Sequence, residues 1–323
     1  MVTAVFLYLI NNYLVYWQDM PGPYLLFSHF GWVGDQADAL DAQQLTQGWW
    51  QLFAYLGVFT LSIAYVVKNH SVSLQLDADR FEQLASFLVR ASFWAVLLIG
   101  LVDVLISFLR VEELLAPFAS EDLITELGRP AYRGSYVHYP LLLLSFVIAF
   151  FVRSISFSWL ALMVVLAEFL IVITRFVFSY EQAFMGDLVR FWYASLFLFA
   201  SAYTLVHEGH VRVDVLYAGF SATKKAWSNI VGCVALGIPL CWVILMHGMG
   251  GKGNSINSPL LSFEISQSGY GMYVKYIMAA FLVVFSLTML IQFVSYLLSS
   301  VAVLVDAAAD KGNGQEAPEP EAQ

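Results

Sequence analysis

Residues 155–178 read ISFSWLALMVVLAEFLIVITRFVF, a stretch dominated by apolar residues in which only Glu168 and Arg175 are ionisable. A helix rises about 1.5 Å per residue and the hydrocarbon core of a bilayer is about 30 Å thick, so about 20 such residues suffice to cross it. Irregular backbone would leave its amides unpaired there, so the run reads as a transmembrane helix. Five more runs of this kind follow outward along the chain: 48–67, 86–109, 188–206, 229–247 and 272–302. Two are weaker. Residues 3–17 carry Asn11 and Asn12, and 137–152 is short and meets the next run at Arg153 and Ser154. The sum is an all-α integral membrane protein with about eight transmembrane helices and both termini on one side.

Composition agrees. The 323 residues are 60% hydrophobic, 16% aromatic and 12% charged, against about 25% charged in soluble domains. A mean hydropathy of +0.72 leaves too little polar surface to coat a soluble core. The lipid bilayer is therefore one partner. A formal charge of -9, with only Lys224 and Lys225 adjacent among the basic residues, excludes a nucleic-acid surface. Cys233 and Cys241 lie eight apart in one apolar run, too far along a helix for a disulfide. Residues 3–17 lack the basic start and small-residue cleavage site of a signal peptide and read as a retained span or interfacial helix.

The connecting segments are acidic: 18–47 holds Asp35, Asp38 and Asp41, and 110–136 holds Glu112, Glu113, Glu121, Asp122 and Glu126. The tail from Asp306 to Gln323, rich in acids, Ala, Gly and Pro, is expected to be disordered. With alternating spans, Lys68, Arg80, Arg153, Arg212, Lys224 and Lys225 share one side with the tail. Arg110, Arg129, Arg133 and Lys252 occupy the loops opposite. That favours a cytoplasmic tail, but counting Arg175, Arg190 and Lys275 at the span ends removes the bias.

Asp103 in 86–109 and Glu168 in 155–178 are the intramembrane polar residues that need an explanation. A charge at mid-bilayer costs about 2.5 to 3.5 kcal/mol on insertion scales. One reading is an ion relay. The other is structural: each acid lies seven residues before a base, Asp103 before Arg110 and Glu168 before Arg175, which places each pair on one helix face. Two isolated acids make a poor relay, so the structural reading is preferred.

Nothing reads as catalytic. His207 and His210 in HEGHVRVD do not complete a zinc motif, and no third ligand is near. His138 and His247 sit at span ends and His29 and His70 in loops, which opposes haem between facing helices. Neither a phosphate loop nor a GxSxG elbow occurs. No enzyme activity, metal or cofactor is expected.

The most informative stretch is 201–227, SAYTLVHEGHVRVDVLYAGFSATKKAW. A span ends near Val206, and Val211, Val213 and Val215 then alternate with Arg212 and Asp214, as in a segment lying in the headgroup layer. SAYTLVHEGHVRVDVLY, with Arg175 closing the preceding span and Asp187 and Arg190 in GDLVRFWYASLF, resembles the small membrane subunit of tripartite ATP-independent periplasmic (TRAP) transporters, the DctQ-like family. The loop GNSINSPLLSFEISQSGYGMYVKY, with Glu264, is similar to the family's polar loop before its last span, although the usual tryptophan and proline landmarks are missing. The family's Glu-Glu pair in the first loop is reduced to Asp187.

The resemblance implies three segments. Residues 1–154 are an N-terminal membrane extension with up to four helices, 155–303 a DctQ-like four-helix core, and 304–323 the acidic tail. It further implies a scaffold beside a large DctM-like membrane subunit, with a DctP-like periplasmic substrate-binding protein, in symport driven by an ion gradient, sodium by family habit, of an organic acid. Arg175, Asp187, Arg190, His210, Arg212, Asp214 and Glu264 are the implied partner or membrane-interface contacts. The bacterial inner membrane, with cytoplasmic termini, is the implied location. A membrane-anchor subunit of a respiratory enzyme and a free-standing ion-coupled carrier are the alternatives.

Overall fold

The computed structural model describes residues 1–34, 40–69, 72–153, 157–206, 217–266 and 269–313, and all regular structure among them is helical. In chain order the α-helices are α1 (Val2–Tyr16), α2 (Pro23–His29), α3 (Ala42–Lys68), α4 (Leu74–Val111), α5 (Glu121–Glu126), α6 (Pro130–Arg133) and α7 (Tyr139–Phe151). They continue as α8 (Phe157–Phe178), α9 (Ala183–Val206), α10 (Ala222–Gly232), α11 (Ile238–Met249), α12 (Asn257–Ser262) and α13 (Lys275–Asn313).

Among the described residues seven stretches are long and apolar enough to cross a membrane: Ala42–Lys68, Leu74–Val111, Pro130–Phe151, Ser158–Phe178, Ala183–Ala202, Ala222–Met249 and Lys275–Ala308. The protein is a multi-pass all-α membrane protein. The remaining expected span, 3–17, forms α1, whose 15 residues extend only about 22 Å. The tail differs from expectation at its start. α13 continues helical to Asn313, past Asp306.

Two of the crossings contain a wide turn. Pro140 and Pro239 have no N–H to donate and crowd the carbonyl four residues back. The turns before them, Gly134–His138 and Cys233–Gly237, open to π geometry, with Tyr139 N–H reaching Gly134 O and Ile238 N–H reaching Cys233 O. The helices continue through both prolines.

α4 is the central strut. It runs antiparallel to α13, with Asp103 bonded to Tyr273 N–H towards one end and Ser295 Oγ donating to Ala78 O at 2.8 Å towards the other. On its α9 side Trp192 Nε1 donates to Val96 O at 3.3 Å. A Cβ on Gly100 would stand 2.5 Å from that nitrogen, so only glycine permits the approach. Phe93, Ile99, Leu160, Phe191, Phe199 and Phe281 fill the shared core. Helices from 1–154 and from 155–303 thus bury one another, and the segments form a single bundle.

α1 lies parallel to α11: Tyr8 Oη donates to Leu245 O at 3.1 Å and Asn12 Nδ2 to Met249 O at 2.6 Å. It pairs antiparallel with α3 through Ser62 to Thr3 at 3.3 Å and Tyr55 to Asn11 at 3.1 Å. Such interhelical hydrogen bonds hold helices that have no hydrophobic reason to leave lipid.

Candidate functional site

Before α13 begins, the chain must turn from α12 into the bundle, and the amides of residues 271–276 need acceptors in apolar surroundings. Two carboxylates supply them. Asp187, near the start of α9, accepts Met272 N–H at 3.1 Å, and Asp103, from α4, accepts Tyr273 N–H at 2.8 Å. Negative charge there also suits the positive end of the α13 dipole.

Asp103 is fully buried, and so is the group that balances it. Arg133 Nη1 donates to Asp103 Oδ1 at 2.9 Å and to Ser107 Oγ at 3.0 Å. Its Nε and Nη2 donate to Leu127 O at 3.1 and 2.9 Å, and its guanidinium stacks on the Tyr273 ring at 4.0 Å. His138 Nε2 meets Asp103 Oδ1 at 3.0 Å and its Nδ1 meets Tyr276 Oη at 2.8 Å. A carboxylate only accepts, so Nε2 is the donor to Asp103. Ser107 Oγ donates to Gly271 O and Tyr273 Oη to Gly128 O. Residues 271–276 are thereby held from three sides, by α4, by α9 and by the turn from Gly128 to His138.

The structure corrects the expected partners. Asp103 pairs with Arg133 and His138, not with Arg110, because the chain after α4 folds back and brings the wide turn of residues 134–138 against it. Arg175 pairs with Glu181 at 3.3 Å, both side chains over half exposed, instead of with Glu168. Glu168 is exposed on α8.

Of the residues implied as contacts, Asp187 and Glu264 converge on the start of α13. Arg190 meets Asp187 at 3.5 Å from a side chain that is 73% exposed. Glu264 pairs with Lys275, and its carbonyl accepts Tyr276 N–H at 3.0 Å. Exposed pairs of this kind add little stability. His210, Arg212 and Asp214 lie outside the described residues. At the same end of the bundle Tyr180 Oη donates to Glu112 at 2.6 Å. Desolvation, then the Glu112 carboxylate, pushes the Tyr180 phenol up to about 12.

Arg133, His138, Tyr273 and Tyr276 were not singled out from sequence as site residues. The one available signal was that a buried Asp103 demands a donor. Among the described residues no three His, Cys, Asp or Glu side chains gather as a metal would require. Both oxygens of Asp103 are occupied, so the arrangement is built to hold backbone in place.

Residues 162–302 match the family model described as "Tripartite ATP-independent periplasmic transporters, DctQ component". This region, under half of the chain, is similar to that component. No curated protein and no solved structure shows significant similarity to the chain. The matched family is a transporter component. The matched region contains Asp187, Glu264, Tyr273 and Tyr276, whereas Asp103, Arg133 and His138 precede it. The last helix of the matched region is therefore fastened by residues from outside it.

Proposed function

We propose that this chain is the scaffold subunit of a TRAP transporter: a static membrane component beside a large DctM-like subunit that carries substrate and ion sites. A DctP-like periplasmic protein delivers an organic acid, and an ion gradient, sodium in this reading, drives symport. The observation that carries the proposal is the DctQ match across 162–302. The buried polar groups support it physically. Asp103, Arg133, His138 and Tyr276 are tied to one another and to backbone, which suits a rigid support. A relay needs groups that exchange partners as ions pass. This chain lacks a catalytic role in the same reading.

The proposed orientation places both termini and the 207–216 segment in the cytoplasm of a bacterial inner membrane, with the acidic end that holds Glu112, Glu121 and Asp187 in the periplasm. Reconstitution tests the function. Liposomes holding this chain alone are expected to take up no substrate, and those holding this chain, the large subunit and the binding protein to show ion-dependent uptake. Equal uptake by the isolated chain would refute the scaffold role. Labelling of intact cells at a cysteine replacing Lys225 would refute the orientation.

A further inference from the structure

α8 crosses the membrane between Ser158 and Phe178, and Glu168 stands midway, about 15 Å from either end. Its side chain is exposed on the outside of the bundle and engages no group among the described residues. Arg175, two turns further on, is taken by Glu181. A glutamate is too short to reach the headgroups from mid-depth as a lysine or arginine near a helix end does. Lipid tails offer it no donor. The other intramembrane acid, Asp103, shows how this chain satisfies such a group internally, with three donors. Glu168 is left open to the outside.

The face around it differs from the rest of α8. At positions 161, 165, 168 and 172, the helical spacing of one stripe, stand Ala161, Val165, Glu168 and Val172, while Val164 beside them packs on the core. Beyond Val172 this stripe meets Phe176, whereas the bulky Trp159, Leu166 and Phe169 project elsewhere round the helix and are 63%, 48% and 60% exposed. Short side chains let two helix backbones approach closely, and in membranes that approach, with a polar contact, is what joins helices.

We propose that the Glu168 stripe of α8 is the surface on which this chain binds a membrane-spanning helix of the large TRAP subunit, and that this helix donates a hydrogen bond or a cationic group to Glu168 at mid-bilayer depth. The proposal rests on the reading of the chain as a transporter subunit. Charge excludes a second copy as the occupant. Two copies inserted in the same direction and related by a two-fold axis would set Glu168 against Glu168 and Arg175 against Arg175.

The test is a photocrosslinking residue at Val165 or Val172, with Glu168→Leu and Glu168→Gln, in membranes expressing this chain with the large subunit. Crosslinks at both positions are expected to join the large subunit. Glu168→Leu is expected to lower co-purified large subunit about tenfold, the worth of one interhelical polar contact. Glu168→Gln, which retains an acceptor oxygen, should retain several times more. The melting temperature of the isolated chain should stay unchanged in both variants, because Glu168 bonds nothing among the described residues. Crosslinks to lipid alone, crosslinks to a second copy, or wild-type co-purification with Glu168→Leu would each overturn the surface while leaving the subunit reading intact. Failure of the wild-type chain to retain the large subunit would overturn both.

Discussion

Asp103 accepts from Arg133, His138 and the Tyr273 amide with two oxygens, all in a dry interior, and the arrangement stands or falls as a unit. Asp103→Ala leaves the Arg133 guanidinium buried without its counter-charge. The expected loss is about 3–5 kcal/mol, the range for breaking one partner out of a buried pair. Removing both charges is different. Asp103→Leu with Arg133→Met exchanges the pair for apolar packing and should recover much of the loss, leaving chiefly the cost of the freed Tyr273 amide and His138 Nε2–H. Thermal unfolding in detergent of the single and double variants checks this, and a single variant that melts like the wild type would show that the pair fastens nothing. The presence of a polar centre was legible, because an aspartate in an apolar run is expensive wherever it lies. Its partner was not. Arg110 is seven residues away and Arg133 thirty, and only the return of the chain after α4 decides between them.

The long helices were legible because hydrocarbon leaves the backbone no alternative to internal hydrogen bonds. Their ends were less so, for a specific reason at α7. The run from 137 looked short because Arg133, Gly134 and His138 read as a polar boundary, yet these residues are buried and the crossing starts at Pro130. The wide turn that Pro140 enforces is also the element that presents His138 to Asp103. Gly134 within it touches the loop before α13: a Cβ there would stand 2.3 Å from Phe263 Cε1 and 3.1 Å from Tyr276 Oη. Phe263 has little freedom to retreat, since its own backbone sits at φ +49° and its ring packs edge-on against Tyr276. Gly134→Val is therefore expected to destabilise by about 1–3 kcal/mol, as overpacking does. It should also expose Glu264 and Tyr270 to limited proteolysis, because the displaced ring lies in their loop. An unchanged digestion pattern and melting temperature would mean that the loop absorbs the added bulk. Short helices such as α5 and α12 escaped the sequence reading because they lie in polar segments where neither length nor hydropathy marks them.

At the scale of the molecule, the packing does not follow the division into an extension and a DctQ-like core. The DctQ match begins at residue 162, but α4, which precedes it, packs against α7, α9 and α13 together. Hydropathy does not mark this, because lipid-facing and protein-facing runs are both apolar: α3 and α4 are both continuous spans, yet 6% of the α3 window is buried and 39% of the α4 window. The polar side chains carry the distinction, since α4 brings Asp103 and Ser107 to the start of α13 and α3 brings only Ser62 and Tyr55 to α1. The consequence is testable by division of the chain. A fragment of residues 155–323 would lose the acceptor of Tyr273 N–H, the guanidinium stacked on Tyr273 and the apolar wall against Phe191, Trp192 and Phe281. It is expected to aggregate on extraction into detergent. Co-expression of residues 1–154 as a separate chain should restore a monodisperse complex, because the contacts between the parts are side-chain and backbone bonds that do not need a continuous chain. The rescue should fail when the N-terminal fragment carries Asp103→Ala, since the clamp on α13 is then absent from both pieces. Size-exclusion chromatography of the three preparations reads the result, and a monodisperse 155–323 fragment would show that the DctQ helices hold together without the strut.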